Sequence, residues 1–99
     1  MYRLDFHEKV YDDLFCIPQE IVKEVVEYFE KIKSNPYACS LPLYGNLSAC
    51  RKIYIAKAQY RIIIKIENNI AKIVQIVIVG KRQDKIVYKE ADQRINNQR

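Results

Sequence analysis

The sequence predicts an α+β fold: an N-terminal strand, a two-helix hairpin, antiparallel strands forming a small sheet, and a short C-terminal element. Three observations predict it. YRLDF at residues 2–6 alternates apolar and polar residues, residues 8–34 repeat apolar positions at helical spacing, and three apolar runs follow residue 50. The 99 residues are 49% hydrophobic and 29% charged, which is typical of a soluble globular chain with one modest core. We therefore expect a single domain over residues 1–99.

Two helices are expected on either side of Pro18. The first begins at about Glu8 and carries apolar residues at helical spacing, namely Val10, Leu14 and Ile17. Pro18 suits the start of the second helix, because an N–H at that position would have no partner within the helix. The apolar stripe of the second helix consists of Ile21, Val25, Phe29 and Ile32, flanked by Val22 and Val26. The pair Asn35-Pro36 is expected to end this helix.

The second half of the chain is expected to form the sheet. Residues 36–49 read as an irregular connection, and three strands are predicted at roughly 50–56, 59–67 and 70–79. A tight hairpin turn is expected at Glu67-Asn68-Asn69, because asparagine tolerates positive φ. KIVQIVIV is apolar on both faces, which indicates a central strand covered on both sides. KIVYKEADQRI after it fits either a strand or a helix.

Charge is distributed unevenly along the chain. Residues 1–49 carry five Lys and Arg against eight Asp and Glu, a net charge of −3, and residues 50–99 carry twelve against four, a net charge of +8. Such asymmetry favours an anionic partner for the second half, with nucleic acid as the first candidate. The alternative is a solvated basic surface that only aids solubility. No membrane-spanning run or secretory signal is present, so a cytoplasmic location is expected.

Several classes of site have no support in the sequence. His7 is the only histidine, which excludes a nuclease built on a histidine pair. No metalloprotease, P-loop, hydrolase or dinucleotide motif occurs, and the three cysteines show no CxxC spacing. We therefore expect neither a metal nor a disulfide framework. The interleaved aromatic pattern of a base-stacking sheet is also weak.

Cations recur on one face of the predicted strands. Alternation places Lys52 and Tyr54 on one face of the strand at 50–56, and Arg61 and Lys65 on one face of the next strand. If the strands pair, Lys52 and Arg61 share a surface, which we expect to be exposed or functional, and Arg82 completes a cationic triangle from the third strand. Such a triangle is suited to hold a phosphodiester and to stabilise charge that grows on its oxygens. The pattern alone leaves open the alternative of scattered surface charges.

Five segments together resemble the RelE/ParE toxin superfamily, and most of all its RelE-like branch. They are Leu41 with GNL at 45–47, CRKI at 50–53, YRII at 60–63, VGKR at 79–82 and VYKEADQR at 87–94. The preceding strand and helical hairpin also fit, so the resemblance covers nearly the whole chain.

This resemblance implies the toxin of a type II toxin–antitoxin system. Members of the RelE branch are mRNA interferases that inhibit translation by cleaving messenger RNA in the ribosomal A site, without metal or cofactor. By position, the residues that match catalytic positions are Lys52, Arg61, Arg82 and Tyr88. Tyr54 matches a position where the best-known members carry a second lysine, and Lys57 or Lys81 is expected to compensate in part. The residues expected to bind RNA are Tyr54, Lys57, Lys65 and Lys81.

The resemblance also implies partners and alternatives. The partners are a cognate antitoxin, the ribosome with its 16S RNA, and mRNA, while a toxin–antitoxin complex would bind operator DNA; no membrane partner is expected. One alternative is a ParE-like inhibitor of DNA gyrase, which shares the fold and has no nuclease site. Another is a non-catalytic homologue that only binds antitoxin or nucleic acid.

Overall fold

The computed structural model describes residues 1–67, 72–81 and 86–96. Its secondary structure confirms the predicted α+β class. The strands are β1 (Arg3–Phe6), β2 (Leu41–Pro42), β3 (Cys50–Ile55), β4 (Tyr60–Glu67) and β5 (Ile73–Lys81), and the helices are α1 (Val10–Phe15), α2 (Gln19–Ser34) and α3 (Ile86–Asn96). The turn expected at Glu67-Asn68-Asn69 falls largely outside the described residues.

The strands form one sheet in the order β1-β5-β4-β3-β2. β3, β4 and β5 pair antiparallel as predicted, but β1 joins β5 in parallel, with Arg3 beside Ile73. The sheet is therefore mixed rather than purely antiparallel. The parallel pair needs a long connection, which the helical hairpin and the strands after it supply.

Both faces of the sheet are covered by helices. The core beneath α1 and α2 contains, among others, Val25, Phe29, Ile32, Ile53, Ile55, Ile62, Ile64 and Ile76. The core beneath α3 contains Leu47, Cys50, Ile63, Val77, Ile78, Val87 and Ala91. Residues 74 to 79 of β5 are all buried, which agrees with the central strand expected from KIVQIVIV. The face that carries Lys52 and Arg61 was expected to be exposed or functional, and α3 covers much of it.

A β-bulge in β5 changes which residues face α3. Ile63 pairs with Ile78 while Ile64 pairs with Ile76, so Val77 is an extra residue on β5. As a result, Val77 and Ile78 both pack in the core beneath α3. The bulge also places Gly80, rather than Val79, opposite Arg61.

The helix ends have local causes. Asn35 ends α2: its side chain accepts hydrogen bonds from the N–H groups of Tyr37 and Ala38, at 3.2 and 3.3 Å. The C-terminal segment, which the sequence left as strand or helix, is a helix whose Val87 and Ala91 are buried. In the described ranges, no helix is long and apolar enough to cross a membrane.

Candidate functional site

The site is built on the pairing of β3 with β4. Tyr54 lies directly opposite Arg61, and Lys52 lies opposite Ile63. Lys52 and Arg61 are therefore diagonal neighbours on the same face of the sheet, close enough for long side chains to meet. The structure thus brings together three of the residues singled out by the sequence, Lys52, Tyr54 and Arg61.

The guanidinium of Arg61 contacts two tyrosine rings. Its Cζ is 4.7 Å from the ring centre of Tyr54 on β3 and 5.0 Å from the ring centre of Tyr88 on α3. The residue is only 6% exposed. Because an aromatic face attracts a cation, both rings stabilise the buried guanidinium. α3 therefore contributes a fourth expected residue, Tyr88, to the site.

Two polar atoms at this site are buried without a hydrogen bond. Within residues 1–67, 72–81 and 86–96, Nε of Arg61 and the hydroxyl of Tyr88 have no partner. Across the same residues Arg61 forms no ion pair, whereas Arg94 forms two. A buried cation without a carboxylate is costly unless another group completes its interactions. The arrangement is suited to receive an anion with oxygen acceptors.

Lys52 adds a second cation to the Arg61 site. Its Nζ is 5.1 Å from the ring centre of Tyr54, and the residue is half-buried. One ring therefore contacts both an ammonium and a guanidinium. Two cations in contact with the same ring attract a phosphate group more strongly than either does alone.

The remaining expected residues lie at different distances from this site. Lys57 is exposed in the β3–β4 turn, where it has a positive φ of 55° between Ala56 and Ala58, which are also left-handed. Lys65 shares the face of Arg61 but lies four residues further along β4, about 13 Å away at the usual rise per residue. Lys65 lies near the thiol of Cys50, whose pKa is raised to about 11 by burial.

Lys81 and Arg82 come at the end of β5. Lys81 is exposed and pairs with Tyr60, whose side chain belongs to the core beneath α1 and α2, so Lys81 lies on the face opposite Arg61. Arg82 falls outside the described residues. Of the predicted cationic triangle, the structure therefore describes only Lys52 and Arg61. Among the residues described, no group of three His, Cys, Asp or Glu side chains is placed to hold a metal ion.

Two features of the site were not identified from the sequence. Gly80 flanks Arg61 on β5, and a Cβ there would lie 3.2 Å from Cγ2 of Val87, so the glycine allows α3 to approach the sheet. Asp13 holds α3 from the other end, because its carboxylate accepts two hydrogen bonds from Arg94, at 2.7 and 2.8 Å. For the Gly80 contact, the one signal in the sequence was a glycine at the end of an apolar run. Asp13 and Arg94 are 81 residues apart, so no local pattern indicates that they pair.

No family model and no curated protein matches this chain. Among solved structures, the RelBE2 toxin–antitoxin complex of Mycobacterium tuberculosis is 26% identical, with a TM-score of 0.72 over 82% of this chain and 98% of that chain. A variant of the E. coli toxin RelE in the free state is 25% identical, with a TM-score of 0.76 over 95% of this chain and 97% of that chain.

A third match extends the comparison to a toxin with another name. The YoeB/ParE toxin of Agrobacterium tumefaciens has a TM-score of 0.70 over 82% of this chain and 99% of that chain. Its sequence identity is 15%, so this match bears on the fold alone. With the sheet order and the three helices described above, these matches identify the architecture: the chain has the RelE-like toxin fold that its sequence resembles.

Proposed function

We propose that this protein is the toxin of a toxin–antitoxin pair and acts as a ribosome-dependent endoribonuclease. The observation that carries the proposal is the buried guanidinium of Arg61, which contacts the rings of Tyr54 and Tyr88 and has its Nε unpartnered among the described residues. In a RelE-like fold, a cation that lacks an acidic partner suits a phosphodiester. The net charge of +8 on residues 50–99 supports an RNA partner.

The reaction that fits these side chains is attack by the RNA on itself. The 2′-hydroxyl loses its proton and its oxygen bonds to the adjacent phosphorus, while the bond from phosphorus to the 5′-oxygen breaks and that oxygen takes up a proton. The products are a 2′,3′-cyclic phosphate and a free 5′-hydroxyl. No outside oxidant, metal or water is consumed in this step.

Each residue of the site has a role in that reaction. Lys52 takes the proton of the 2′-hydroxyl when neutral, or stabilises the oxyanion when charged. Arg61 stabilises the charge that grows on the phosphate oxygens, and the Tyr88 hydroxyl orients the 2′-hydroxyl. Arg82 is assigned beside them from the sequence. Because no histidine is available at these positions, the ribosome is expected to supply the alignment of the substrate.

The proposed partner is an antitoxin with an acidic segment and an amphipathic helix. Its acidic part would cover the basic second half of the chain. Its helix would lie on the apolar surface of α1 and α2, where Tyr11, Phe15 and Val26 are 68%, 88% and 49% exposed. This partner also accounts for large aromatic side chains left at a surface.

The test is a cleavage assay on ribosomes programmed with a defined message, with primer extension to map the cuts. Wild-type protein is expected to cut at codon positions only when ribosomes are present. Lys52→Met keeps the apolar stem and removes the charge, and should slow cleavage by about 100-fold or more. Lys23→Met removes the same charge from an exposed position on α2 and should leave the rate within about twofold of wild type.

A gyrase supercoiling assay on the same preparations separates the alternatives. Folded wild-type protein that leaves messages uncut and blocks supercoiling would be a ParE-like toxin. Protein that does neither would be a non-catalytic homologue. Either result would overturn the nuclease proposal.

A further inference from the structure

The ring of Tyr54 occupies a central position among the cations of the site. It lies opposite Arg61 across the strand pair and two residues from Lys52 on its own strand. Its centre is 4.7 Å from the Arg61 guanidinium carbon and 5.1 Å from the Lys52 ammonium nitrogen. Tyr54 is the one described ring that contacts both cations.

The two rings contact Arg61 without accepting a hydrogen bond from its Nε. Ring faces attract the guanidinium through its charge, while its donors point outward in the guanidinium plane. Nε of Arg61 is buried and has no acceptor within the described residues. The two rings therefore restrict where the guanidinium lies and leave the hydrogen-bonding capacity of Nε unused.

The same ring contacts both of these like charges. Lys52 and Arg61 repel each other, and no described carboxylate forms an ion pair with either. An electron-rich ring face attracts both cations and so offsets part of that repulsion.

We propose that Tyr54 is a positioning residue whose ring aligns Arg61 and Lys52 on a single phosphodiester. The proposal rests on the nuclease function proposed above. It assigns to Tyr54 no proton transfer and no bond to the reacting atoms. Its ring, rather than its hydroxyl, is the part that acts.

Two variants at this position test the proposal. Tyr54→Phe keeps the ring, and Tyr54→Leu removes it while keeping an apolar side chain. Cleavage on programmed ribosomes should stay within about threefold of wild type for the phenylalanine variant. It should fall by about tenfold or more in kcat/KM for the leucine variant, with the loss mainly in kcat.

A second readout does not depend on cleavage. The side-chain Nε–H resonance of Arg61, assigned by its loss in Arg61→Lys, is expected to be displaced by the currents of the two rings. Titration with a trinucleotide that lacks 2′-hydroxyls should move this resonance in wild type and in Tyr54→Phe. In Tyr54→Leu the free resonance should shift toward those of exposed arginines, and the trinucleotide affinity should fall by about fivefold or more.

Two results would overturn the proposal. One is an unchanged Arg61 resonance and trinucleotide affinity in Tyr54→Leu. The other is a phenylalanine variant that behaves like the leucine variant, which would assign the effect to the hydroxyl. If wild-type protein cleaves no message, the nuclease function fails, while the resonance and the titration still decide the role of Tyr54. Thermal unfolding of each variant establishes that it is folded.

Discussion

At the scale of single residues, two buried arginines differ in how their charge is satisfied. Burial alone would lower the pKa of Arg94, but its hydrogen bonds and ion pairs with Asp13 and Glu90 raise that pKa overall. Arg94 also donates to the carbonyl of Val77 at 2.9 Å. Arg61 has ring faces in place of such partners. We therefore expect Arg94 to contribute to stability, and this difference supports the ligand-binding role proposed for Arg61.

The stability role of Arg94 gives the first residue-scale prediction. Arg94→Ala leaves the Asp13 carboxylate and the Val77 carbonyl without their partner, so the free energy of unfolding should fall by about 3–5 kcal/mol. Lys33→Ala is the control, because it breaks the Lys33–Glu30 pair at 3.0 Å, in which the side chains are 37% and 70% exposed, and should cost less than about 1 kcal/mol. Urea denaturation measures both. Equal losses in the two variants would contradict the assignment.

Cys50 gives the second residue-scale prediction, which concerns pH. Burial raises the pKa of its thiol from 9.0 to about 11, so between these values the unfolded chain loses a proton that the folded chain keeps. The stabilisation from Cys50 is complete below pH 9 and is lost as the pH rises toward 11. Between pH 8 and 10 the free energy of unfolding should fall more in wild type than in Cys50→Ala, by on the order of 1 kcal/mol.

The control for this pH effect is Cys16→Ala, because Cys16 is an exposed thiol. Its pH profile should run parallel to that of wild type. The other titratable groups are common to all three proteins and cancel in the comparison. A Cys50→Ala profile parallel to that of wild type would show that burial does not shift this thiol.

Much of the site could be predicted at the residue scale and some could not. Alternation along β3 and β4 places Lys52, Tyr54 and Arg61 on one face once the register is known. The contact of Arg61 with both rings was not predictable, because it depends on how closely α3 approaches the sheet. That approach depends in turn on the bulge at Val77. The neighbouring residues of β5 are all similar apolar residues, so the sequence does not indicate where the bulge occurs.

At the scale of elements, α3 packs on the sheet through a close contact with β5. An added Cβ at Gly80 would lie 3.2 Å from Cγ2 of Val87, which is closer than such carbons usually approach. The sequence left this segment as strand or helix, because KIVYKEADQRI has an apolar spacing that fits both. Packing decides in favour of the helix, since Val87 and Ala91 on successive turns are both buried.

This contact predicts a coupling between positions 80 and 87. Gly80→Ala should cost about 1–2 kcal/mol, because the new methyl group displaces α3. Val87→Ala removes Cγ2, so the double variant should lose less stability than the sum of the single variants, by about 0.5 kcal/mol or more. Ile32→Ala, on the other side of the sheet, is the control and should combine additively with Gly80→Ala. Additive losses for both pairs would contradict the close contact.

At the scale of the whole molecule, the sheet separates two cores, and among the described residues the core beneath α1 and α2 is the larger. One lies beneath α1 and α2 and includes isoleucines from β3, β4 and β5. The other lies beneath α3, a helix of 11 residues, too short to be stable alone. The antiparallel strands were predictable from local pattern. The parallel pairing of β1 with β5 was not, because no residue pattern within either strand indicates a partner so far away in the sequence.

Unequal cores predict that α3 opens before the rest of the molecule unfolds. Native-state hydrogen exchange in low denaturant should give the amides of residues 89–95 an opening free energy about 2 kcal/mol or more below that of Ile62 and Ile64 in β4, with a weaker dependence on denaturant. Arg94→Ala removes the bond from α3 to Asp13 and should lower the opening free energy of the α3 amides further.

Opening of α3 changes the surroundings of Arg61. Tyr88 moves with α3, so each opening takes one of the two rings away from Arg61 and exposes the guanidinium to solvent. The Arg61 Nε–H should therefore exchange with solvent at the opening free energy of the α3 amides rather than at that of the β4 amides. Its exchange rate should rise in Arg94→Ala and stay unchanged in Lys33→Ala. Exchange of α3 and β4 amides at one common free energy would contradict separate opening, and would mean that Arg61 meets its ligand with α3 in place.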